Sequence, residues 1–355
     1  MRKILLLGGT GAIGVYLVPE LINLGFDVFV TSRSTTKSDI DKLAYIKGNA
    51  RDITFLKKIL TDSYDAIVDF MAYPTEEFRY RYELLLESTK HYIFLSSGRV
   101  FAESNLPLTE TSPRLLDVSN DSKYLATDEY ALAKARQENI LRNSQYKNWT
   151  IIRPTITYSK TRFQLGTLEA QTLFFHVLCN RPVILPQEML NKQTAMTWAG
   201  DVAAMIAPLI LNKSAFCEDF NVCTAEHRLW EDIASYYNKL IGLNISIMDF
   251  EPYLKIMEKE GWGTKYQLLY SRMYNRIWDN SKILKITDMQ QTSLMPIYEG
   301  LAKELSNSQN IMEMTKILFL SLNKNGLLEK IHKKSFSRSV LRRGLSYAKK
   351  KLLKS

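Results

Sequence analysis

The chain has 355 residues, of which 46% are hydrophobic and 24% charged, and this composition excludes a disordered chain, a collagen and a coiled coil. No apolar run approaches the roughly 18 residues that a membrane span needs, and three cysteines without metal-type spacing predict a reducing cytosol and no disulfide framework. The net charge of +10 belongs to one end, because Lys324–Ser355 carries eleven Lys or Arg residues and one acid, while the preceding 323 residues carry 36 of each sign.

The first 155 residues alternate short apolar runs with amphipathic stretches. The predicted strands are residues 3–7, 27–31, 43–46, 65–71, 92–96 and 149–153. The clearest predicted helices between them are residues 12–24, 52–60, 76–88 and 123–142. This alternation is typical of βαβ units, so we predict an α/β fold of the Rossmann type, a doubly wound parallel sheet whose strand carboxyl ends form one ligand-binding edge.

After residue 155 the pattern is less regular and predicts a smaller, mixed α/β lobe. Its predicted helices are residues 163–179, 202–211, 229–241 and 295–305, and its predicted strands are residues 182–185 and 245–249. Four scattered histidines show no metal-ligand spacing, so we predict no metal site.

A glycine-rich turn, Gly-Gly-Thr-Gly-Ala-Ile-Gly at residues 8–14, follows the first strand and opens the first helix. Its spacing fits G-x-G-x-x-G, which gives a tight turn, close backbone approach to a pyrophosphate and close packing of helix on strand. The helix N-terminus then faces the negative charge of the phosphates. A plain tight turn between strand and helix is the alternative. The predicted dinucleotide contacts are Gly8, Thr10, Gly11, Ala12, Ile13 and Gly14.

The second strand ends without the acid that an NAD-preferring site usually places there for the adenosine ribose 2′-hydroxyl. Ser32 and Arg33 stand there instead and suit a 2′-phosphate, which favours NADP and leaves NAD open; a solvated loop arginine is the alternative. Asn49, Arg51 and Asp52, after the third strand, are further predicted cofactor contacts. Asp52 fits either the adenine amino group or the N-cap of the next helix.

Tyr130 and Lys134 lie at i and i+4 of a predicted helix and therefore share a face. An ammonium there lowers the pKa of the phenol and makes it a usable acid/base. The spacing alone is weak, because Tyr347 and Lys351 repeat it in the basic tail. The first copy differs because the Ser96-Ser97 pair ends the fifth strand, and a strand-end serine would converge with the helix-borne pair beside a nicotinamide.

These pieces resemble the extended short-chain dehydrogenase/reductase superfamily, in its NAD(P)-dependent sugar-nucleotide epimerase/dehydratase branch, across residues 1–305. The motifs that carry the resemblance are GGTGAIG, GNARD, FLSSGRVFAE, TETSP, YALAK, IIRPTITY, WAGDVAA and WDNSKIL. The resemblance implies that Ser97 hydrogen-bonds the substrate oxygen, that Tyr130 is the acid/base and that Lys134 activates it. Further cofactor contacts are then expected at Met71, Ala72, Tyr73, Ser96 and Pro154, with Pro154 lining the nicotinamide pocket.

The loop after the fifth strand limits which reaction of the family the chain can perform. Family members that perform 4,6-dehydration place an Asp-Glu pair directly after the hydroxyl residue, because elimination needs an additional acid and base. Gly98 and Arg99 stand there in this chain. The sequence therefore predicts an NAD(P)-dependent epimerase or ketoreductase of a nucleotide-activated sugar and disfavours a dehydratase. The alternative is a non-catalytic NADP-binding protein of this fold that binds RNA or senses redox state through its basic tail.

The sequence divides into three parts. We place an NADP-binding domain at residues 1–160, to which 195–225 is expected to return, a substrate-binding lobe at 161–194 and 226–310, and a basic tail at 311–355. The tail repeats apolar residues at helical spacing among its basic residues, which predicts a basic amphipathic helix. We expect a cytoplasmic protein with peripheral contact at the inner face of a membrane through residues 324–355. The alternative is an arm packed on the body or on a partner subunit, or a disordered segment. Nucleic acid is disfavoured and a homodimer stays open.

Overall fold

The computed structural model describes residues 2–34 and 37–307, so the tail predicted at 311–355 lies outside the described residues. The chain divides into two compact units. The first holds residues 2–34, 37–159, Ala195–His227 and Ile277–Ile297, and the second holds Lys160–Thr194, Arg228–Arg276 and residues 298–307.

The strands are β1 (Lys3–Leu7), β2 (Asp27–Ser32), β3 (Leu43–Lys47), β4 (Tyr64–Asp69), β5 (Thr89–Leu95), β6 (Trp149–Pro154), β7 (Ile156–Tyr158), β8 (Gln164–Leu165), β9 (Leu168–Glu169), β10 (Val183–Pro186), β11 (Gln193–Thr194), β12 (Met196–Trp198), β13 (Glu218–Val222), β14 (Arg228–Leu229) and β15 (Ile245–Met248). The α-helices are α1 (Gly14–Asn23), α2 (Ile53–Ile59), α3 (Thr75–Arg79), α4 (Tyr82–Glu87), α5 (Leu115–Val118), α6 (Ser122–Leu125), α7 (Tyr130–Arg142), α8 (Ala170–Leu178), α9 (Gln187–Leu190), α10 (Ala199–Ile206), α11 (Trp230–Ile241), α12 (Phe250–Glu260), α13 (Trp262–Gln267), α14 (Ser281–Thr287) and α15 (Ile297–Ser306).

The first unit is built on a seven-stranded sheet in the order β13-β6-β5-β4-β1-β2-β3. Every pairing in this sheet is parallel, so the carboxyl ends of all seven strands lie along one edge. The predicted doubly wound parallel sheet is confirmed. The strand Glu218–Val222 was missing from the prediction, because its sequence Glu-Asp-Phe-Asn-Val is half polar and resembles a turn.

Both faces of the sheet are covered, because alternate strand residues are apolar on opposite sides. Leu6 and Val30 belong to a buried cluster with Leu17 of α1 and Ile206 of α10. Leu5 and Leu7 belong to a second buried cluster on the other face. That second cluster also contains Leu56 of α2, Phe78 of α3, Leu85 of α4 and Leu141 of α7.

Two predicted helices are wrong in extent. The predicted helix 76–88 is two short helices, α3 and α4, separated at Tyr80–Arg81. The predicted helix 123–142 is also divided, into α6 and α7, because the Thr127 hydroxyl donates to the Tyr124 carbonyl at 2.7 Å and Glu129 takes an extended conformation that starts a new helix. This second break makes Tyr130 the first residue of α7.

The second unit consists of short strands and helices. The predicted helix 163–179 is wrong at its start, because a tight hairpin of β8 and β9 turns at Gly166, whose φ is +56°, and α8 begins only at Ala170. The predicted strands near 182 and 245 pair with each other in parallel as β10 and β15. Within residues 2–34 and 37–307, each helix is too short or too polar to cross a membrane.

Candidate active site

The predicted site residues of the first unit follow the carboxyl ends of six neighbouring strands. Because those strands are parallel, these residues share one edge of the sheet. By strand they are the turn 8–14 after β1, Ser32 and Arg33 at β2, Asn49, Arg51 and Asp52 after β3, Met71, Ala72 and Tyr73 after β4, Ser96 and Ser97 after β5, and Pro154 at the end of β6.

The glycine turn has the geometry that a dinucleotide pyrophosphate needs. Gly8 has φ +74°, a conformation that favours glycine, and its N–H donates to the Thr31 hydroxyl of β2 at 2.9 Å. A Cβ on Gly14 would lie 2.1 Å from the Gly9 carbonyl oxygen, so only glycine lets helix α1 approach the turn this closely. Thr10 and Gly11 are exposed at the tip of the turn. These residues fit a nicotinamide dinucleotide.

The β2 and β3 ends hold the predicted adenosine contacts. Ser32 is buried and its hydroxyl lies 3.2 Å from that of Ser34, whereas Arg33 is exposed at the edge. Asp52 caps α2, because its Oδ1 accepts from the Thr54 N–H at 2.9 Å and from the Phe55 N–H at 3.4 Å. The cap uses one carboxylate oxygen, so a contact of Asp52 with adenine stays a prediction.

Arg51 forms an ion pair with Glu77, and the Asn49 carbonyl accepts from the Asp52 N–H at 2.9 Å. The guanidinium of Arg51 is therefore directed to α3. Its predicted cofactor contact is not tested by this geometry and stays a prediction.

The side chain of Lys134 is almost completely buried, with 1% exposure. Its ammonium donates to the Met71 carbonyl at 3.4 Å and lies 4.4 Å from the centroid of the Phe94 ring and 6.0 Å from that of Tyr130. Burial lowers the pKa of Lys134 to about 8, and the nearby carboxylates of Asp69 and Glu138 oppose that decrease. A depressed lysine pKa beside a tyrosine is typical of a reactive site.

Asp69, at the end of β4, is a polar residue of this site that sequence reasoning missed. It is fully buried, and its carboxylate accepts from the Met71 N–H at 2.9 Å, the Tyr92 hydroxyl at 2.8 Å and the Tyr73 hydroxyl at 3.4 Å. Burial raises the pKa of Asp69, and these donors and Lys134 oppose the rise. The sequence feature that could have identified Asp69 is an acidic residue at the end of a largely apolar strand.

The Tyr73 side chain is part of this buried network. The Arg81 guanidinium lies 4.4 Å from the centroid of its ring, and the Tyr73 carbonyl accepts from the Gln137 amide at 2.7 Å. Met71 is half-buried and Ala72 is exposed. A cofactor contact of residues 71–73 stays a prediction.

The two serines after β5 have different partners. The Ser96 hydroxyl donates to the buried Glu138 at 2.6 Å, and Glu138 also pairs with the buried Arg153 at 2.7 Å. Burial alone would raise the pKa of Glu138, but Arg153 and the Ser96 hydrogen bond outweigh it and hold the pKa below the usual range. Ser96 therefore belongs to an internal network. The Ser97 hydroxyl accepts from the Arg99 N–H at 3.2 Å, and the residue is buried, with 8% exposure.

Tyr130 is held by its neighbours at the start of α7. Its side chain is 37% exposed, and the Arg99 guanidinium lies 5.3 Å from its ring centroid. Glu129 caps the helix by accepting from the Ala131 N–H at 2.8 Å and forms an ion pair with Arg99. The structure thus brings Tyr130 and Lys134 together and places Arg99, which adjoins Ser97, against the same ring.

Trp278 fills the space beside Gly98. A Cβ on Gly98 would lie 2.4 Å from Cη2 of the indole, whose ring packs edge-on against Phe101 with centroids 5.8 Å apart. Trp278 belongs to the first unit and is 5% exposed. No larger residue at position 98 fits without displacing this ring.

Within the described ranges 2–34 and 37–307, no group of three or more His, Cys, Asp or Glu side chains has the arrangement of a metal site.

His91 has a structural role. Its Nδ1 accepts from the Leu211 N–H at 2.9 Å, its Nε2 lies 2.8 Å from the Thr150 hydroxyl, and burial lowers its pKa to about 4.

Comparison with known proteins adds a family match. The model of the NAD dependent epimerase/dehydratase family matches residues 4–223. A relative from Arabidopsis thaliana, the chloroplast stem-loop binding protein of 41 kDa b, is 26% identical over 257 residues, which are 68% of this chain and 64% of that protein. The chain thus spans less than two thirds of the length of this curated relative.

Solved structures share the fold. The UDP-glucose 4-epimerase of Thermotoga maritima is 17% identical, with a TM-score of 0.64 over 87% of this chain and 99% of that chain. The UDP-glucuronic acid 4-epimerase of Bacillus cereus is 16% identical, with a TM-score of 0.63 over 87% and 100% of the respective chains. A dTDP-glucose 4,6-dehydratase of Bacillus anthracis is 15% identical, with a TM-score of 0.64 over 87% and 97%. At these identities the likeness concerns the fold alone.

Proposed function

We propose that this chain, which belongs to the NAD dependent epimerase/dehydratase family, is an enzyme of the extended short-chain dehydrogenase/reductase type whose substrate is a nucleotide-activated sugar. The proposed reaction is epimerisation or carbonyl reduction, with Tyr130 as the acid/base. The observation that carries the proposal is the buried ammonium of Lys134 beside the partly exposed ring of Tyr130. A buried charge is costly, so its position next to a phenol favours a catalytic role.

The proposed roles follow from the chemistry of each group. A bound nicotinamide supplies or accepts the hydride. In the reducing direction, Tyr130 gives its phenol proton to the carbonyl oxygen as the carbon gains the hydride, and the substrate becomes an alcohol. Lys134 stabilises the phenolate that remains, and Ser97 donates a hydrogen bond to the same oxygen. Oxidation of the alcohol reverses each step.

We further propose that NADP is the preferred cofactor. Arg33 is exposed at the β2 end and stands where an acid would select NAD. Two hydroxyls, of Ser32 and Ser34, lie beside it. A guanidinium with neighbouring hydroxyls suits a phosphate dianion through charge-assisted hydrogen bonds.

The proposal excludes 4,6-dehydration. Gly98 and Arg99 replace the acidic pair that elimination requires, and the indole of Trp278 occupies the space beside Gly98. Epimerisation and reduction need only Ser97, Tyr130 and Lys134 with the cofactor. The second unit is the proposed binding lobe for the nucleotide sugar.

The decisive experiment is Tyr130→Phe with a panel of 4-keto and 4-hydroxy nucleotide sugars, followed by NADPH absorbance and product analysis. We expect the rate to fall by about 10²–10⁴-fold, because one positioned acid/base is lost, while NADPH binding is retained. The matched control is Tyr347→Phe, which removes the tyrosine of the other Tyr-x-x-x-Lys spacing and should leave the rate unchanged. Equal losses in both variants would overturn the site assignment.

A second candidate function is RNA stem-loop binding. It is favoured by the name of the Arabidopsis relative and by the excess of basic residues in 324–355, which lie outside the described residues. Five basic residues of that tail can be neutralised together in the full-length chain by changing Arg342, Arg343, Lys349, Lys350 and Lys351 to Gln.

The test measures binding of the full-length wild type and of the full-length neutralised variant to a stem-loop RNA and, separately, to anionic vesicles. RNA binding that weakens steeply with salt and is lost in the neutralised protein, with hydride transfer intact, would support the RNA function. Absence of RNA binding at low salt would exclude it. Binding to vesicles alone would instead support the membrane contact expected of the tail.

A further inference from the structure

Arg99 places a second positive charge against the ring of Tyr130. It lies in the 3-10 turn Gly98–Val100 directly after Ser97, and its guanidinium carbon is 5.3 Å from the centroid of the Tyr130 ring. The ammonium of Lys134 is 6.0 Å from the same centroid. The proposed function uses Lys134 and gives Arg99 no role.

An ion pair fixes the position of Arg99. Its Nη2 donates to Oε1 of Glu129 at 2.5 Å, and the side chains are 18% and 2% exposed. The other Glu129 oxygen accepts from the Ala131 N–H at 2.8 Å. Because Tyr130 stands between Glu129 and Ala131, one carboxylate fixes both the guanidinium and the start of the helix that carries the phenol.

The charges around Tyr130 come from three elements. The cations are Lys134 on α7 and Arg99 on the turn after β5, and the positive end of the α7 dipole adds to them. Glu129 opposes them at the N-cap, and the Tyr124 hydroxyl donates to it at 3.3 Å. Behind Lys134 lie two buried carboxylates, Asp69 at the end of β4 and Glu138 on α7.

We propose that Arg99 is a positioning residue that packs on the Tyr130 ring and stabilises its phenolate, with Glu129 holding the guanidinium in place. Arginine suits this role because its planar group packs on aromatic faces and stays charged at every working pH. Lys134 differs, since burial lowers its pKa to about 8 and its positive charge is lost in the alkaline range. The arginine therefore keeps one cation beside the phenol where the lysine no longer provides one.

The test is a spectroscopic titration that needs no substrate. Ionisation of Tyr130 is isolated by subtracting the alkaline absorbance titration of Tyr130→Phe at 295 nm from that of the wild type. A unit charge 5–6 Å away in a partly exposed site shifts a pKa by about one pH unit. We expect Arg99→Gln to move the Tyr130 transition to higher pH by about 0.5–1 unit, and Arg99→Lys to restore most of the difference. Each Arg99 titration is corrected with the double variant that also carries Tyr130→Phe.

A second variant separates charge from structural disturbance. Glu129→Gln keeps an oxygen that can cap Ala131 but removes the negative charge, so the Tyr130 transition should move to lower pH. Shifts of opposite sign from the two halves of one ion pair are not produced by general loosening of the site. The matched control is Arg79→Gln, an exposed arginine paired with Glu76, which should not move the transition.

The outcomes are decisive when far-UV circular dichroism and thermal unfolding confirm folded proteins. An unchanged Tyr130 transition in Arg99→Gln, or shifts of the same sign in both variants, would overturn the proposal. Its role in turnover rests on the proposed function, but the titration does not. If the Tyr130 transition shifts as expected but the protein acts on no sugar of the panel, the proposed substrate class is refuted and the inference about Arg99 stands.

Discussion

Gly98→Ala is expected to destabilise the first unit because the new methyl group meets the indole of Trp278. The Cβ would lie 2.4 Å from Cη2, 3.0 Å from Cζ2 and 3.2 Å from Cζ3 of that ring. The ring is 5% exposed, and its backbone is pinned because Leu108 donates to Ile277 at 2.9 Å and accepts from Asp279 at 3.0 Å. Overpacking of this kind costs about 1–3 kcal/mol.

That cost corresponds to a fall in Tm of about 3–9 °C. The measurement is thermal unfolding followed by calorimetry, with Gly263→Ala as the control, because a Cβ on Gly263 in α13 meets nothing within 4 Å and an alanine there is neutral or stabilising. In the double variant Gly98→Ala with Trp278→Phe, the smaller ring should accept the methyl group, so the two losses should not add. If Gly98→Ala is as stable as the wild type, the steric argument is refuted, and position 98 could accommodate a larger side chain such as that of an acidic residue.

Three further predictions concern charge. Lys134→Met should raise the free energy of unfolding at pH 7 by up to about 3 kcal/mol, while hydride transfer is lost. The reason is that the pKa of Lys134 in the folded protein, about 8, lies below the usual 10.5, so the charged amine is unfavourably buried at neutral pH. A variant that urea unfolding shows to be less stable than the wild type would contradict this. Burial lowers the pKa of His91 to about 4, so between pH 6.5 and 4 the unfolded state binds a proton that the folded state does not. The wild type should therefore lose about 3 kcal/mol of unfolding free energy over this range, relative to His91→Gln measured in parallel. Arg33→Ala should weaken NADP binding by about 1.5–3 kcal/mol and leave NAD binding nearly unchanged in calorimetry; tighter NAD than NADP binding by the wild type would disprove the preference.

The local signals in the sequence were strong where short-range physics decides the structure. In the strand Lys3–Leu7, the four apolar residues after Lys3 are all buried, so the run stands out as a strand of a parallel sheet. The turn 8–14 was recognisable because steric limits at Gly8 and Gly14 admit only glycine. Parallel strands then require their carboxyl ends to share an edge, so the candidate dinucleotide site followed from the order of strands and helices.

Long-range contacts decided what the sequence left open. Glu218–Val222 is a strand because β6 supplies its hydrogen bonds, and its own polar residues gave no such signal. The break before Tyr130 depends on the Glu129 carboxylate, which also takes Arg99 as a partner 30 residues away. Helical periodicity continues across this break, so pattern reasoning extended the helix through it.

The sequence by itself determined the parallel α/β sheet, the glycine turn and the Tyr130–Lys134 spacing, because each depends on neighbours within a few residues along the chain. Only the tertiary structure decided that Lys134 is buried against Met71 and Phe94, that Asp69 lies behind it and that Trp278 closes the space at Gly98. Burial and electrostatic environment are sums over residues distant in sequence. The pKa values and steric limits that set the chemistry of the site therefore arise only when β4, β5, α7 and the segment around Trp278 are packed together.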